Sequence, residues 1–595
     1  MKLLLIYLPI RKECISLLLK IEMNHLLKKL LNTKIMKRII LMLIILIVGT
    51  SSFSQSWNWA HSAGGNRPDY AKDMAIDLDN NIYVGITSRS DTCYFKTGYY
   101  TLWGETDFFI VKYNSNGNEL WVKQCGGPYE PHFGGYSGKD GIIALKYDQT
   151  TNSIYGYGGF VGTCNFGEIT IGSSSPYDMD IFIAKFNLDG NCIWAKRIGC
   201  TNEDERWDRA FSMSIDNYGY LYVCAYLPFS GTFDNTPAEF GGNLAKFDPD
   251  GNCLWVKKII PVQNIGLIPP LFFLYSYIIN ESLYLTGYNI KSEFTVDTIS
   301  MSIPNYSGQL IASFDLNGNI KWLKAIGGPT GTSLLKEIDS DDLENIYIPG
   351  AFSGSYATFG IDTIFSDTGR GIYVAKYNKE GTLVWLKHAD VTNSANASSV
   401  NKDSKGFLYL SGGFSGTINF DSFQLNSISE NDLYIIKFDQ EGNFLCGDNT
   451  NGGAIYYLRT YPNDIINICG SFFGTANFGN TVLFEKGAVW GDVFVAQHAP
   501  INEGINEHNS KISNALIIYA NPTTGICNIK IPEELRYEEN LSLLVYNNSG
   551  KLILQQEINT QEEKISLNLE ARAKGIYNAI LTNGKQKFQG RVVFE

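Results

Sequence analysis

Histidine is scarce in this 595-residue chain, six in all, and no two stand at metal-ligand spacing. Those beyond the N-terminal leader (His61, His132, His388, His498 and His508) are dispersed. The cysteines form no Cys-x-x-Cys pair, which removes the usual zinc and thioredoxin-like motifs. No Gly-x-Ser-x-Gly elbow is present to seat a hydrolase serine. Basic charge is short as well. Residues 1–54 hold nine Lys/Arg and two Asp/Glu, so the rest carries 39 bases against 58 acids. An acidic surface disfavours nucleic acid or an anionic membrane as partner. On these grounds no catalytic, cofactor-binding or metal-ligating set is assigned, no cofactor is expected, and the chain is read as a non-enzyme.

What is abundant points to β-structure. Charged residues make up only 18%, while Tyr 35, Phe 34 and Gly 58 give the balance of an all-β chain rich in turns. Met36-Lys37-Arg38, the apolar run 39–48 and the small residues Ser52 and Ser54 have the three parts of a secretory signal cleaved before Gln55. The apolar run is short for a membrane span. Residues 1–35 read as an overlong start with Met36 the initiator, the rival being a membrane anchor. Cys14 lies in this leader. The cysteines that follow, including Cys192 and Cys253 two residues before a tryptophan, read as small buried apolar residues, with a few disulfides open to an exported protein.

One pattern recurs along the body, best seen in residues 180–199, DIFIAKFNLDGNCIWAKRIG: two alternating strands joined by a hairpin. Its tryptophan position runs Trp59, Trp121, Trp194, Trp255, Trp322, Trp385 and Cys446. A tyrosine strand stands at Tyr83, Tyr155, Tyr222, Tyr284, Tyr347 and Tyr409, with Asn467 in the last copy. With one further strand before each tyrosine, there are four strands per period and seven periods. The period, about 62 residues, exceeds that of compact propeller repeats. The surplus carries a Phe-x-Gly-Thr-x-x-Phe run, as in residues 160–166, 414–420 and 472–478, read as loops on one side of a disc. A lone opening strand at Trp57 and a lone closing strand at 492–498 complement one another, as ring closure requires. A seven-bladed β-propeller over residues 55–499 is therefore expected, with an open solenoid as the alternative.

The runs Gly64-Gly65…Ala75-Ile76-Asp77…Asn81-Ile82-Tyr83-Val84-Gly85 and Gly327-Gly328…Ile338-Asp339…Asn345-Ile346-Tyr347 resemble the bacterial β-propeller repeat abbreviated SBBP. The resemblance implies a propeller and no common catalytic site. Residues 259–279, apolar with three prolines, depart most from it.

Residues 500–514 are polar and read as a linker. Beyond them, 515–595 alternates into about seven strands, a small C-terminal β-sandwich. Asn521-Pro522-Thr523-Thr524-Gly525, then Ser549-Gly550-Lys551-Leu552, then Lys574-Gly575-Ile576-Tyr577 resemble the C-terminal sorting domain of the type IX secretion system of Bacteroidota. That resemblance makes Asn521, Pro522, Gly525, Gly550, Lys551, Gly575 and Tyr577 the sorting-signal motif. It implies the outer-membrane secretion machinery as partner, removal of the domain, and release or surface attachment of the passenger.

Weaker motifs have simpler explanations. Asp248-Pro249-Asp250-Gly251-Asn252 looks like the start of a calcium loop but lacks the downstream glutamate, and such turns recur wherever a hairpin is needed. Glu203, Asp204, Glu205 and Asp208 could supply paired carboxylates for glycoside hydrolysis; a solvated inter-blade loop is the plainer reading. The recurring Lys112, Lys185, Lys246, Lys376 and Lys437 suggest a blade-packing position, and the repeated aromatics read as core. The expectation is a secreted or cell-surface monomer without a membrane span, binding a glycan or protein ligand. A polysaccharide hydrolase or lyase and a structural surface protein are the alternatives.

Overall fold

The computed structural model describes residues 57–128, 140–176, 178–200, 208–260, 271–289, 293–302, 308–327, 337–420, 423–460, 464–487, 491–499 and 501 of the body. In the tail it describes 516, 518–519, 523–532, 535–536, 541–547, 552–558, 563–583 and 587–594. The signal-peptide reading and most of the linker lie outside the described residues. The chain folds as two compact units, 1–501 and 502–595.

The body unit is all-β and propeller-like. Its first sheet is an antiparallel meander of Asp69–Ile76, Ile82–Ser88, Asp107–Tyr113 and Glu119–Cys125. Among the described residues the same order recurs six more times. The fourth sheet retains its first strand, Leu271–Ile279, after the proline-bearing segment 261–270, which lies outside the described residues. In the seventh, Gly453–Arg459, Ile466–Phe472 and Asp492–His498 are completed by Trp57–Ala63 from the other end of the body, in the register Ala60↔Ala496 and Ala63↔Val493. The two lone strands of the sequence thus pair with each other.

Each sheet grips the next through its tryptophan. The turn between third and fourth strands needs a left-handed residue, and glycine supplies it without steric cost. These glycines are Gly117, Gly190, Gly251, Gly318, Gly381 and Gly442, with φ between 74° and 83°. Each lies under the preceding sheet's tryptophan: a Cβ on Gly251 would stand 2.9 Å from the Trp194 ring, and one on Gly381 2.8 Å from Trp322. Indole N–H groups donate to the same turns, Trp121 to Leu188 O at 3.1 Å and Trp322 to Lys379 O at 2.8 Å. The repeated lysine occupies this junction too. Lys112 Nζ lies 5.0 Å from the centre of the Tyr83 ring and donates to Leu188 O; Lys185 does the same with Tyr155 and Pro249 O. Among the described residues, only the junction from sixth to seventh sheet lacks the tryptophan, Cys446 standing in its place.

The Phe-x-Gly-Thr surplus is not loop. It folds into a short hairpin in every repeat, such as Gly231–Phe233 with Thr236–Ala238. The hairpin reaches back to the outer strand of the preceding sheet: Ile198 pairs with Phe233, Ile326 with Phe359, and Asp390 with Asn419. Isolated bridges Gly64↔Tyr94 and Gly126↔Asn165 repeat the contact elsewhere. The unpaired edge each sheet would expose is thereby covered. The motif phenylalanines are core, with Phe160, Phe166, Phe414, Phe472 and Phe478 all buried. The ten cysteines of residues 93–527 are free thiols, seven of them buried, so they pack as small apolar side chains.

The tail unit has a three-stranded sheet (Ile518–Tyr519, Ile526–Lys530, Lys564–Asn568) and a four-stranded one (Leu552–Glu557, Ser542–Asn547, Gly575–Thr582, Lys587–Phe594). One apolar cluster joins them, from Cys527, Ile529 and Leu567 to Leu543, Val545 and Phe588.

Gly251→Ala should destabilise the protein more than Gly360→Ala, as read by urea unfolding. Both are left-handed, so each pays about 1–2 kcal/mol, but a Cβ at Gly360 meets nothing within 4 Å. Equal losses would show that the tryptophan contact contributes little. Trp322→Ala should cost about 3–5 kcal/mol.

Candidate functional site

The first strands of the sheets lie beside one another, and side chains from them line a small central space of about 20 Å³. Register fixes which side chains enter it. The residue paired with the tyrosine of the second strand is Ala75, Lys146, Ser214, Tyr277, Asp339 and Asn401 in the first six sheets, and Arg459 pairs with Asn467 in the seventh. Two residues earlier stand Asp73, Ala144, Ser212, Tyr275, Glu337, Ser399 and Tyr457.

From these two registers a charge cluster assembles. Asp73 is 2% exposed; its Oδ2 accepts from Lys146 Nζ at 2.6 Å and Leu145 N at 2.9 Å, its Oδ1 from Met74 N at 2.8 Å and Arg459 Nη2 at 3.5 Å. Arg459 also pairs through Nη1 with Glu337, which is 3% exposed and accepts from the Ser399 hydroxyl. Two acids and two bases contributed by four sheets balance in charge. Burial lowers the Lys146 ammonium from its usual range against the opposing pull of Asp73, and pushes the neighbouring Tyr275 hydroxyl up to about 12.

Above this cluster opens a cavity of about 440 Å³ walled by residues of the first three sheets, among them Leu78, Tyr147, Gln149 and Asn217, with Lys146 and Arg459 at its base. Its size falls within the range of ligand pockets. Asp148 and Asp216 on its wall are engaged in their own turns: Asp148 Oδ1 accepts from Thr150 N, and Asp216 Oδ1 from Tyr218 N and Tyr220 N.

The residues singled out in the sequence lie elsewhere. Glu203, Asp204 and Glu205 are outside the described residues. Asp208 is not on a solvated surface: it is fully buried, accepts from Cys200 N at 2.8 Å and Cys200 Sγ at 2.9 Å, and burial pushes it up to about 8. Asp248 braces its own turn, accepting from Asp250 N and Asn252 N. His61 packs against both Trp59 and Tyr113, which also contact each other, and burial lowers its pKa. His388 is exposed, His498 is buried beside Asp448, and His132 and His508 lie outside the described residues. Among the described residues no three His, Cys, Asp or Glu side chains are placed to chelate one metal ion.

In the tail unit, Gly525 O accepts from Leu569 N, Gly575 opens a strand, and Tyr577 is buried with its hydroxyl donating to Ala573 O. Asn521, Pro522, Gly550 and Lys551 lie outside the described residues. Residues 517–595 match the family model of the secretion system C-terminal sorting domain, Por_Secre_tail. A sorting domain of this kind implies engagement of the secretion machinery and export to the cell surface or the extracellular space.

An uncharacterised WD repeat-containing protein of Acanthamoeba polyphaga mimivirus is 23% identical over 477 residues, covering 70% of this chain and 31% of the relative. The chain thus spans about a third of that relative's length. Solved structures with similarity include Trypanosoma rangeli sialidase in complex with sialic acid (8% identity, 88% of this chain and 83% of that one, TM-score 0.30). Another is an endo-arabinanase from Bacillus licheniformis (12% identity, 54% and 100%, TM-score 0.25).

Arg459→Met should cost about 3–5 kcal/mol, because it leaves Asp73 and Glu337 buried without their shared partner. Raising salt to about 1 M should change wild-type stability little, since buried pairs are poorly screened. Chemical unfolding of both proteins checks this, and a variant as stable as wild type would mean the cluster is not a structural tie.

Proposed function

We propose that the chain is an exported binding module: a seven-bladed β-propeller of the SBBP type, followed by a β-sandwich sorting domain for a type IX secretion system of Bacteroidota. The observation that carries a binding reading over a hydrolytic one is the state of the central carboxylates. Glycoside hydrolysis needs one carboxyl free to give up a proton and a second free to attack or activate water. Asp73 and Glu337 are instead both committed to Arg459, and Asp73 to Lys146 as well. They hold four sheets together beneath an open cavity. A ligand seated there meets Tyr147, Leu78 and Gln149 on the walls and two cations at the base, a mixture of apolar and polar contacts suited to a glycan or the tip of a protein loop. The net negative charge disfavours polyanions as ligands.

Two experiments test this reading. The full chain, immobilised against a polysaccharide panel, should retain at least one polymer without releasing reducing ends, and Tyr147→Ala should weaken retention about tenfold. Reducing ends that scale with protein would replace the binding module by a hydrolase, and silence towards every polymer would leave a protein partner or a structural role. Deleting residues 502–595 should hold the protein inside the cell, as read by immunoblot of culture fractions.

A further inference from the structure

The seam at which the two ends of the body meet holds two buried carboxyls, each with one oxygen that the fold does not use. Asp69 opens the first strand of the first sheet, and Asp492 opens Asp492–His498 of the seventh. Both are 1% exposed. Each spends one oxygen on bracing the chain: Asp69 Oδ2 accepts from Gly65 N at 2.8 Å and Ser90 Oγ at 2.9 Å, and Asp492 Oδ2 from Lys486 N at 3.0 Å. The other oxygen of each, Oδ1, is buried with no hydrogen-bond partner. The two carboxyls converge on Gly64. The point where a Cβ on that residue would stand is 2.4 Å from Asp492 Oδ1 and 3.0 Å from Asp69 Oδ2. Any side chain at this position would collide with the Asp492 carboxyl, so the close approach requires glycine.

A buried carboxylate with an orphaned oxygen is costly, and two that repel each other are costlier. Burial and the proximity of Asp69 push Asp492 up to about 7 despite the hydrogen bond from Lys486 N. One protein cation, Lys486, faces the two carboxyls and attracts both, a single positive charge against the pair. Its ammonium donates to Tyr94 O at 2.9 Å, and Glu485 adds a third negative charge to the surroundings. The polar groups available are hard oxygens: two carboxylates, the Ser90 hydroxyl and backbone carbonyls. The neighbouring thiol, Cys93, is fully buried, and its pKa is raised by burial, so it stays protonated and is no thiolate ligand. Hard oxygen ligands select calcium over zinc.

We propose that Asp69 and Asp492 bind a calcium ion at Gly64, clamping the first sheet to the seventh where the two ends of the body meet. Between the first and second sheets a single carboxylate stands in the corresponding place. There the unpartnered Asp107 Oδ1 lies 2.5 Å from the point where a Cβ on Gly126 would stand. Extracellular calcium modules bind at about 10⁻⁴–10⁻³ M, so a site of this kind fills outside the cell and stays empty where calcium is scarce. The exported protein would tighten its closure only on arrival.

The test uses the full chain, stripped with EGTA and held at pH 8. Calorimetric titration with calcium chloride should show binding near 10⁻⁴ M, and at about 5 mM calcium the folded state should gain about fifty-fold over the unfolded one. That gain should appear as a raised thermal midpoint, with magnesium much less effective. Asp69→Asn and Asp492→Asn should each abolish most of the calcium-dependent shift while Asp107→Asn leaves this site's contribution intact. Absence of calcium heat in wild type, or an undiminished shift in both variants, would overturn the proposal. A midpoint insensitive to calcium that rises on acidification in wild type, but not in Asp492→Asn, would also overturn it and assign a shared proton to the pair.

Discussion

The body depends on an indole ring laid over a glycine. In six of the seven repeats the tryptophan of the fourth strand projects beyond its own sheet onto the turn of the next, and that turn presents a left-handed glycine with no Cβ to obstruct it. The contact is dispersive throughout and directional at Trp59, Trp121 and Trp322, whose indole N–H groups bond turn carbonyls, while the repeated lysine, as at Lys112, spans the tyrosine ring and the same turn. A sheet that buries one face against its neighbour has many acceptable orientations; one that must seat a ring on a glycine has few. Six such contacts fix the spacing from the seventh sheet, through Trp59, round to the sixth. The remaining junction lacks the ring: Tyr409, Leu433 and Ile435 pack against Ile455, Ile468 and Phe494, and hydrogen bonds from Thr460 to Asn401 and Lys402 and from Leu458 N to the Ser399 hydroxyl are added.

Once that spacing is set, the first strands have no freedom left. They stand side by side, and their inward registers meet whether or not the side chains suit one another. Most of these positions carry small, hydroxyl or aromatic residues. Asp339 accepts from Lys402 N and Ser340 N, while Asp73, Lys146, Glu337 and Arg459 neutralise each other across four sheets. The cluster is therefore a consequence of sheet packing before it is a site. What it offers a ligand is a rigid, charge-balanced base to a cavity whose walls are first-strand ends and turns. The hairpins that reach back to each preceding sheet hold the outer rim in the same way, by hydrogen bonds where the first strands use charge.

Much of this is legible in the chain. Alternation, Asn/Asp-Gly turns and the recurrence of tryptophan and tyrosine specify all-β structure and the strand order within a repeat, because those features act over a few residues. The complementary lone strands at 57 and 492 are legible as well, since a missing strand at one end and a spare at the other is a counting argument. The tail motifs lead to the sorting domain for the same local reason. The Phe-x-Gly-Thr run is visible but reads as loop: the hairpin is stable because it pairs with a neighbouring sheet, and that partner lies in another repeat.

The sequence by itself determined the elements and the positions that repeat, since identical local patterns impose identical local structure. Tertiary structure decided everything carried by positions that differ between repeats. Asp73 and Arg459 are 386 residues apart and belong to no motif. Asp69 and Asp492 lie near opposite ends of the body. A repeat is recognised by what stays constant, whereas the charge cluster is built from what varies, and only closing the chain on itself brings its residues, or the strand-opening aspartates of the seam, within reach of each other's charge.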